Sequence, residues 1–374
     1  MSALAQVAAS QPSEDAGALP FDETKAAGFE ERMVDTLNGA ALALMISIGH
    51  RTGLFDALDR VPPVTSAELA AHAGLNERYV REWLGALSAA RVVKFDAASR
   101  RYSLPAEHAA CLTRRATPGN LAVFAQYVPV LGGVEDDIVH CFEHGGGVPY
   151  DRYPRFHEVM AEDSGQTVLP ALFDHILPLA GGIEARLEAG IRVLDVGCGR
   201  GRALMMMAER YPNSTFVGYD LSGDAVNWAN AEARRQGLSN LHFEARDLSN
   251  FDRDAEPASF EFVTTFDAIH DQADPLAVLK GIRRTLTDDG VYLAQDINGS
   301  SHVHHNLDHP IGTLLYTISC LHCMTVSLAQ DGAGLGAMWG REKARELFAE
   351  AGFANTEVNE LAHDIQNCYY LCRP

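Results

Sequence analysis

The stretch that decides the fold is IRVLDVGCGRGRALMMMAERYPNSTFVGYDLSGDAVNWANAEARRQGLSNLHFEARDL, residues 191–248. Short strand-like runs alternate in it with longer segments of helical periodicity, and a glycine-rich turn separates the first strand from the first helix. This alternation predicts a parallel sheet wrapped by helices, an α/β fold of the Rossmann-like kind. In such folds, ligands bind at the edge where the parallel strands end.

The glycine-rich turn narrows the choice of ligand. Its glycines are Gly197, Gly199 and Gly201, and glycine permits a tight turn that a ligand can approach closely. A dinucleotide-binding loop has its third glycine one residue further along, as G-x-G-x-x-G. The spacing G-x-G-x-G therefore favours a different nucleotide-like ligand.

A carboxylate stands at the end of each of three successive predicted strands. Asp195 lies in RVLDV, Asp220 closes TFVGYD and Asp247 closes LHFEARD. Carboxylates are poor neighbours for a pyrophosphate, but they can bind an amino group and the hydroxyls of a ribose. The three acids favour S-adenosylmethionine, a cationic ligand that carries both groups.

The segments VLDVGCGRG, GYDLS and ARDL resemble, in this order, the class I S-adenosylmethionine-dependent methyltransferases, and the resemblance covers about residues 185–374. It implies that the glycine loop lies beside the amino-acid part of the cofactor. It also implies that the second acid holds the ribose hydroxyls and that the third meets the adenine. The cofactor site that it implies consists of Asp195, Gly197, Gly199, Gly201, Asp220, Leu221, Asp247, Leu248 and Phe266.

The N-terminal part of the chain has a winged-helix pattern. TSAELAAHAGLNERYVREWLGALSAARVVKF predicts a capped helix, a second helix and a strand, and RRYSL predicts the second strand of a small wing. The whole chain resembles the plant O-methyltransferase type, in which a winged-helix domain mediates dimerisation, so a homodimer is expected. The expected parts are a disordered tail (1–28), a winged-helix dimerisation domain (29–110), a helical connector or lid (111–182) and the cofactor-binding methyltransferase domain (183–374).

A long helix is predicted ahead of the winged helix. From Phe29 onward, apolar residues recur at helical spacing, which predicts a buried or half-buried helix. The positions are Met33, Leu37, Ala41, Leu44 and Ile48.

The stretch FDAIHDQADP, residues 266–275, follows the predicted strand FEFVTTF and ends in a helix-start signal. The family resemblance places the catalytic histidine after the fourth strand in an HD-W-x-D-like sequence, which corresponds here to His270 and Asp271; Gln272-Ala273 replaces the usual Trp-Ser. An imidazole with a pKa of about 6.5 can remove the proton of an acceptor hydroxyl at neutral pH. The alternative is a structural loop histidine.

The histidine needs a carboxylate to orient it, as in other sites of this kind. Asp271 is adjacent in sequence, and adjacent side chains rarely meet, so we expect it to make a backbone or capping contact. Asp296, at the end of the next predicted strand GVYLAQD, is the partner candidate in space. These two acids and His270 are the catalytic candidates.

Candidates for the acceptor pocket lie further along the chain. The segment YTISCLHCMTVSLAQDGAGLGAMWG resembles a group of bacterial small-molecule methyltransferases, and core packing is the alternative for each of its pocket candidates. These are Tyr316, His322, Cys323, Met338 and Trp339. A hydroxyl acceptor would need His270 strongly, whereas a thiol acceptor, already partly ionised, would need it mainly for positioning.

Two clusters raise the question of a metal, and we predict none. The histidines of SSHVHHNLDHP (302, 304, 305 and 309) could suit zinc or iron, but a solvated or substrate-facing loop is the favoured interpretation. CLHC (320–323) and the cysteines at 368 and 372 do not make a four-thiolate site. The last two lie in a predicted strand, where four residues span roughly 13 Å.

Composition and charge exclude several functions. The formal net charge is -20, and residues 29–107 hold nine Lys or Arg against ten Asp or Glu. Clustered positive charge, which a nucleic-acid surface needs, is therefore lacking. No apolar run is long enough for a membrane span, and the scattered, odd number of cysteines indicates reduced thiols and a cytoplasmic protein.

The sequence thus predicts S-adenosylmethionine-dependent methyl transfer to a hydroxyl or thiol of a small molecule, without nucleic acid or membrane as partners. The competing hypothesis is a DNA-binding regulator in which the C-terminal domain senses a metabolite. A third is an enzyme that uses S-adenosylmethionine without transferring its methyl group.

Overall fold

A computed structural model describes residues 21–374 of the 374-residue chain. It divides into two compact units, Met1–Leu42, described from residue 21 onward, and Ala43–Pro374. The helices are α1 (Glu23–Thr52), α2 (Leu54–Asp59), α3 (Ser66–Ala73), α4 (Glu77–Ala89), α5 (Ala106–Leu112), α6 (Tyr127–Gly132), α7 (Glu135–His144), α8 (Phe156–Ser164), α9 (Val168–Ala171), α10 (Ile183–Ala189), α11 (Arg202–Arg210), α12 (Gly223–Gln236), α13 (Phe251–Asp254), α14 (Pro275–Thr285), α15 (Gly312–Ile318), α16 (Met324–Leu328) and α17 (Gly340–Glu350).

The strands are β1 (Lys94–Asp96), β2 (Arg101–Ser103), β3 (Arg192–Val196), β4 (Thr215–Asp220), β5 (Leu241–Ala245), β6 (Phe260–Phe266), β7 (Leu286–Ile297), β8 (Asn355–Asn359) and β9 (Asn367–Arg373). Strands β1 and β2 pair antiparallel as a two-stranded wing. The other seven form one sheet in the order β5-β4-β3-β6-β7-β9-β8.

The sheet confirms the predicted α/β architecture. Strands β3 to β7 pair in parallel, and β9 runs antiparallel between β7 and β8. Because parallel strands are covered on both faces, β3 is buried after its first residue, with the apolar side chains of Val193, Leu194 and Val196 fully inaccessible. The strand order reverses between β3 and β6, so a crevice opens where the carboxyl ends of these two strands diverge.

The winged-helix domain has the predicted elements. Thr65 caps α3, its side chain accepting from the amide of Glu68 while the Glu68 carboxylate accepts from the Thr65 amide. The buried face of α4 includes Trp83, whose indole N–H donates to the carbonyl of Met45 at 2.9 Å. Gly49 leaves room for this packing, since a Cβ there would lie 2.6 Å from the Trp83 ring.

Helix α1 corrects two expectations. It begins at Glu23, so residues 23–28 are helical and not part of a tail; residues 1–20 of the predicted tail lie outside the described residues. The apolar positions predicted to be buried are instead exposed, Leu37 by 71 % and Ile48 by 45 %. The buried residues of α1 are in its last turns, and they are Ser47, Gly49 and His50.

Residues 111–182 are largely helical, as expected of a connector, and include a π-helical segment at Leu172–Ile176. In the part of the chain from residue 21 onward, no single helix is long and apolar enough to cross a bilayer. Two helical stretches joined at a bend of 101°, Phe156–Ala180 and Ile183–Ala189, have the length and apolar composition of a span only when they are taken together.

Candidate active site

A cavity of about 810 Å³ opens at the carboxyl edge of the sheet. This size is in the range of small-molecule sites. All nine residues that the sequence assigned to the cofactor line it. Its other walls come from His270 and Asp271, from α8 and from the segment after α15, whereas the third catalytic candidate, Asp296, does not line it.

The glycine loop forms one wall, and its glycines are sterically required. Gly197, Gly199 and Gly201 all have positive φ, a backbone region that other residues rarely adopt. A Cβ on Gly197 would lie 2.4 Å from the Cβ of Ala268, and one on Gly201 would lie 2.1 Å from the ring of Phe243. Larger residues would therefore push this loop out of place.

Asp220 ties the loop to the second strand. One oxygen of its carboxylate accepts from the amide of Gly199 at 2.7 Å, and the other accepts from the amide of Ser222 at 2.8 Å. Each oxygen keeps a further lone pair for a ligand hydroxyl. The position suits the implied role of binding the ribose.

The other two strand-end acids differ in environment. Asp195 is buried and accepts from the Thr264 hydroxyl at 2.8 Å, and burial raises its pKa to about 7. Asp247 accepts from both the hydroxyl and the amide of Ser249, and these bonds lower its pKa. Asp247 is thus a better anionic ligand than Asp195 at neutral pH.

The catalytic candidates His270 and Asp296 form a buried pair. Nδ1 of His270 lies 2.7 Å from Oδ1 of Asp296, and both side chains are almost fully inaccessible. The same carboxylate oxygen accepts from the indole N–H of Trp339 at 2.9 Å and from the amide of Ile297 at 2.8 Å. Because Nδ1 is engaged by the carboxylate, Nε2 is the nitrogen left for an acceptor proton.

Charge sets the protonation of this pair. Burial opposes a charged imidazole, but the Asp296 carboxylate and then the nearby Cys323 outweigh it, so the pKa of His270 is raised well above its ordinary value. Burial also raises the pKa of the Cys323 thiol, against the influence of His270. A nucleophilic cysteine needs a lowered pKa. The neighbouring side chains of Cys323, His270 and Asp296 therefore do not form a catalytic triad with an ionised thiol.

An aromatic cluster forms the opposite wall. Phe156 stacks on the ring of His322 with centroids 3.5 Å apart, and the edges of Tyr150 and Tyr153 face the same ring at 5.1 and 4.8 Å. His322 is 1 % exposed, and neither ring nitrogen has a hydrogen-bond partner. Burial, followed by the charges of His270 and His157, holds the His322 pKa well below its ordinary value, so this ring is neutral.

Several predicted site residues are not where the sequence placed them. Tyr316, Met338 and Trp339 do not line the cavity: Tyr316 accepts from the amide nitrogen of Asn306, Met338 packs in a small apolar cluster, and Trp339 lies behind Asp296. Asp271 does line the cavity and is contacted by the Tyr150 hydroxyl at 3.5 Å. Its expected capping role is taken by Asp274, which accepts from the amide of Ala277.

Sequence reasoning missed the cavity residues contributed by the predicted connector. Tyr127, Tyr150, Arg155 and His157 line the cavity, and the His157 ring stacks on Tyr150 at 5.2 Å. The break GGGVPYDRYP marked the segment as a lid, but no motif singled out these side chains. Asp267, adjacent to the predicted Phe266, was also missed.

The sequence raised the question of a metal for the histidine loop after β7 and for the cysteines. From residue 21 onward, no group of three or more His, Cys, Asp or Glu side chains could hold a metal ion. The rings of His302 and His304 stack on each other, and the ring of His305 lies edge-on to the first and tilted to the second. His309 contacts the carbonyl of Asn298. All seven cysteines are free thiols.

Comparison with known families identifies the two domains. Residues 40–114 match the Rv2258c-like winged HTH domain, and residues 187–357 match a methyltransferase domain. The chain joins a winged helix-turn-helix domain to a methyltransferase domain. S-adenosylmethionine is the cofactor of such domains, and the cavity offers it a glycine loop and strand-end carboxylates.

Individual proteins are similar to this chain over most of its length. The methyltransferase ungE' of Aspergillus campestris is 25 % identical over 308 residues, covering 76 % of this chain and 83 % of that protein. A putative O-methyltransferase from Nostoc punctiforme superposes with a TM-score of 0.67 at 18 % identity, covering 92 % and 98 % of the two chains. Human N-acetylserotonin methyltransferase, solved in complex with S-adenosylmethionine, superposes with a TM-score of 0.64 at 17 % identity, covering 92 % and 97 %.

Proposed function

We propose that this protein transfers the methyl group of S-adenosylmethionine to a hydroxyl oxygen of a small molecule, with His270 as the general base and Asp296 as its orienting partner. The observation that carries the proposal is the buried His270–Asp296 pair at the wall of the cavity that the cofactor residues share. When bound, the cofactor supplies an electrophilic methyl group on a sulfonium.

The residues of the chain have two tasks in this reaction. The cavity holds the acceptor oxygen in line with the methyl group, and alignment of this kind can contribute roughly 7 to 11 kcal/mol. In its neutral form, which prevails above its raised pKa, His270 would take the hydroxyl proton at Nε2 as the oxygen–carbon bond forms and the sulfur–carbon bond of the sulfonium breaks. Asp296 then stabilises the imidazolium, since Nδ1–H already donates to its carboxylate.

A thiol acceptor is the second possibility within the same function. A thiol with a pKa near 8.5 is partly ionised without a base, so His270 would serve it mainly by positioning. The buried Cys323 thiol beside His270 gives the cavity a polarisable surface that suits a sulfur-containing group. The two acceptor classes differ in how strongly turnover depends on His270.

The neutral ring of His322 and the aromatic side chains around it supply the acceptor wall. Rings of Tyr150, Tyr153 and Phe156 favour a flat, apolar acceptor body. A neutral imidazole offers one donor and one acceptor to a polar group on that body. His322 and Cys323 are accordingly proposed as acceptor-binding residues.

The winged-helix domain is proposed to serve homodimerisation and not DNA binding. On α4, Arg81 donates to Glu77 at 2.6 Å and Arg78 pairs with Glu82, so both arginines are neutralised on their own helix. The exposed apolar side chains of α1, such as Leu37, suit burial against a second copy. A cytoplasmic location stays a prediction from the cysteine content.

The test is a search for the acceptor. The full chain is incubated with S-adenosylmethionine labelled in its methyl group and with panels of phenols, carboxylic acids, amines and small thiols. We expect label in an aromatic hydroxyl compound, and a product that His270→Ala makes far more slowly. Transfer confined to amines or carboxylic acids would contradict the proposal, as would cleavage of the cofactor without methyl transfer.

A further inference from the structure

Asp267 lines the cavity, and the chain forms a hydrogen bond with only one of its two carboxyl oxygens. It follows β6 with a left-handed backbone conformation, φ 51°. The side-chain amide of Gln295 donates to its Oδ2 at 3.0 Å, and its own amide donates to the carbonyl of Gln295 at 3.0 Å. These two bonds fix the residue at the end of the strand.

The second oxygen of this carboxylate lacks a partner. Among residues 21–374, Oδ1 of Asp267 is buried without a hydrogen bond, and no Lys, Arg or His side chain forms an ion pair with it. A buried polar atom left without a partner costs about 1–3 kcal/mol, and more when it is charged. A ligand donor that reaches this oxygen would remove that cost.

The charges around Asp267 point to a cation. The carboxylates of Asp296 and Asp163 lie near enough to disfavour its ionisation, whereas His270 and the hydrogen bond from Gln295 act in the opposite sense. Burial first, and then Asp296, raise the Asp267 pKa well above its ordinary value. Negative groups thus outnumber positive ones around Asp267, and a positively charged ligand group would balance them.

The position of Asp267 indicates which cation this is. Its neighbour Ala268 packs directly on Gly197, where a Cβ would come within 2.4 Å. Asp267 therefore adjoins the glycine loop, beside which the amino-acid part of the cofactor is expected. The ammonium group of that amino acid is a donor with a full positive charge, the strongest partner for a carboxylate.

We propose that Asp267 binds the α-ammonium group of the cofactor through its side chain. This assignment rests on the cofactor of the proposed function and is independent of the acceptor. The other candidate is Asp195, the strand-end acid of the glycine loop. It is buried and already accepts a hydrogen bond from Thr264, so it depends less than Asp267 on a ligand for its hydrogen bonds.

The test measures binding, so it is separate from turnover. Calorimetry of the full chain compares S-adenosylhomocysteine with an analogue whose α-amino group is replaced by hydrogen. Asp267→Asn is expected to weaken S-adenosylhomocysteine about 10- to 100-fold, the usual range for a hydrogen bond to a charged group. The deaminated analogue should bind the variant and the unchanged protein equally.

Glu158→Gln is the matched control, because it removes another carboxylate from the same cavity wall and should leave the affinity for both ligands unchanged. The thermal unfolding temperature of unliganded Asp267→Asn should not be lowered, since Asn keeps an oxygen that accepts from Gln295. Asp267→Ser provides the same comparison should the Asn variant unfold. Unchanged affinity for S-adenosylhomocysteine, or equal weakening of both ligands, would overturn the assignment. A missing acceptor in the labelling screen would leave it intact.

Discussion

Nδ1 of His270 and Oδ1 of Asp296 meet at 2.7 Å although the residues are 26 positions apart in the chain. They meet because β6 and β7 are parallel neighbours, so the residues that follow or close these strands lie at the same edge. We expect His270→Ala to lower turnover of a hydroxyl acceptor at least about 100-fold. Affinity for S-adenosylhomocysteine, measured by calorimetry, should not change. A loss below about 10-fold at pH 8.5 would exclude the general-base role.

The pH dependence of the reaction should report the raised pKa of His270. Transfer requires the neutral ring, so kcat/KM should be highest above this pKa and should fall as the pH drops through it. In Asp296→Asn the carboxylate charge is lost, so the pKa falls and the acidic limb moves to lower pH, while the maximal rate also falls. Profiles of kcat/KM for the two proteins check this. A limb that stays in place in Asp296→Asn would show that another group titrates.

Replacing His322 should affect acceptor binding and the stability of the fold in opposite directions. Its two unpartnered ring nitrogens are a cost to the folded chain, so His322→Phe should unfold at the same or a higher denaturant concentration, with a gain of about 1 kcal/mol. The same variant should raise the KM of the acceptor, with a smaller effect on kcat. Urea unfolding and steady-state kinetics are the measurements. A clear loss of stability with unchanged KM would assign the ring to core packing alone.

A substitution at Gly147 tests whether the loop before Tyr150 determines the shape of the acceptor site. A Cβ at this position would lie 2.0 Å from the carbonyl of Thr325 and 2.3 Å from the amide of Ala329. We expect Gly147→Ala to destabilise the fold by about 1–3 kcal/mol and to raise the acceptor KM. Gly132→Ala, in α6 with open space around it, is the control and should change neither. Thermal unfolding and acceptor kinetics distinguish the two variants.

The exposed side of α1 should mediate association. Leu37 is 71 % exposed and Phe29 53 % exposed in the single chain, which is unfavourable for large apolar side chains in water. Leu37→Lys together with Met33→Lys is expected to convert a dimer into a monomer in sedimentation experiments. Tyr79→Lys, which replaces an exposed aromatic residue on α4, should leave the assembly unchanged. A double variant that remains dimeric would place the interface elsewhere.

The cofactor half of the site could be predicted from the sequence because its signals are local. Asp195, Gly197 and Asp220 each close a strand or open a turn within one continuous stretch, and parallel strands bring such positions to one edge. The partner of His270 was found by the same rule. These assignments needed the order of the strands and no side-chain packing.

The acceptor half could not be predicted in this way. It joins α8 and the loop before it to a segment more than 150 residues later, as in the bond from the Tyr153 hydroxyl to the carbonyl of Leu321. A π-helical segment at Ser319–Cys323 interrupts the regular helical period, so the faces of Tyr316 and His322 could not be assigned by counting. The exposure of α1 was missed because periodicity does not say what covers an apolar face.

The acidic wall around Asp267 has a consequence for the order of events in the cavity. Methyl transfer converts a sulfonium into a neutral thioether, while Asp267 and Asp271 keep their places in the wall. The spent cofactor therefore faces these carboxylates with one positive charge fewer than the fresh cofactor. We therefore expect the wall to bind the charged cofactor more tightly than the spent one once its carboxyl groups are ionised, which would favour the exchange of used for fresh cofactor.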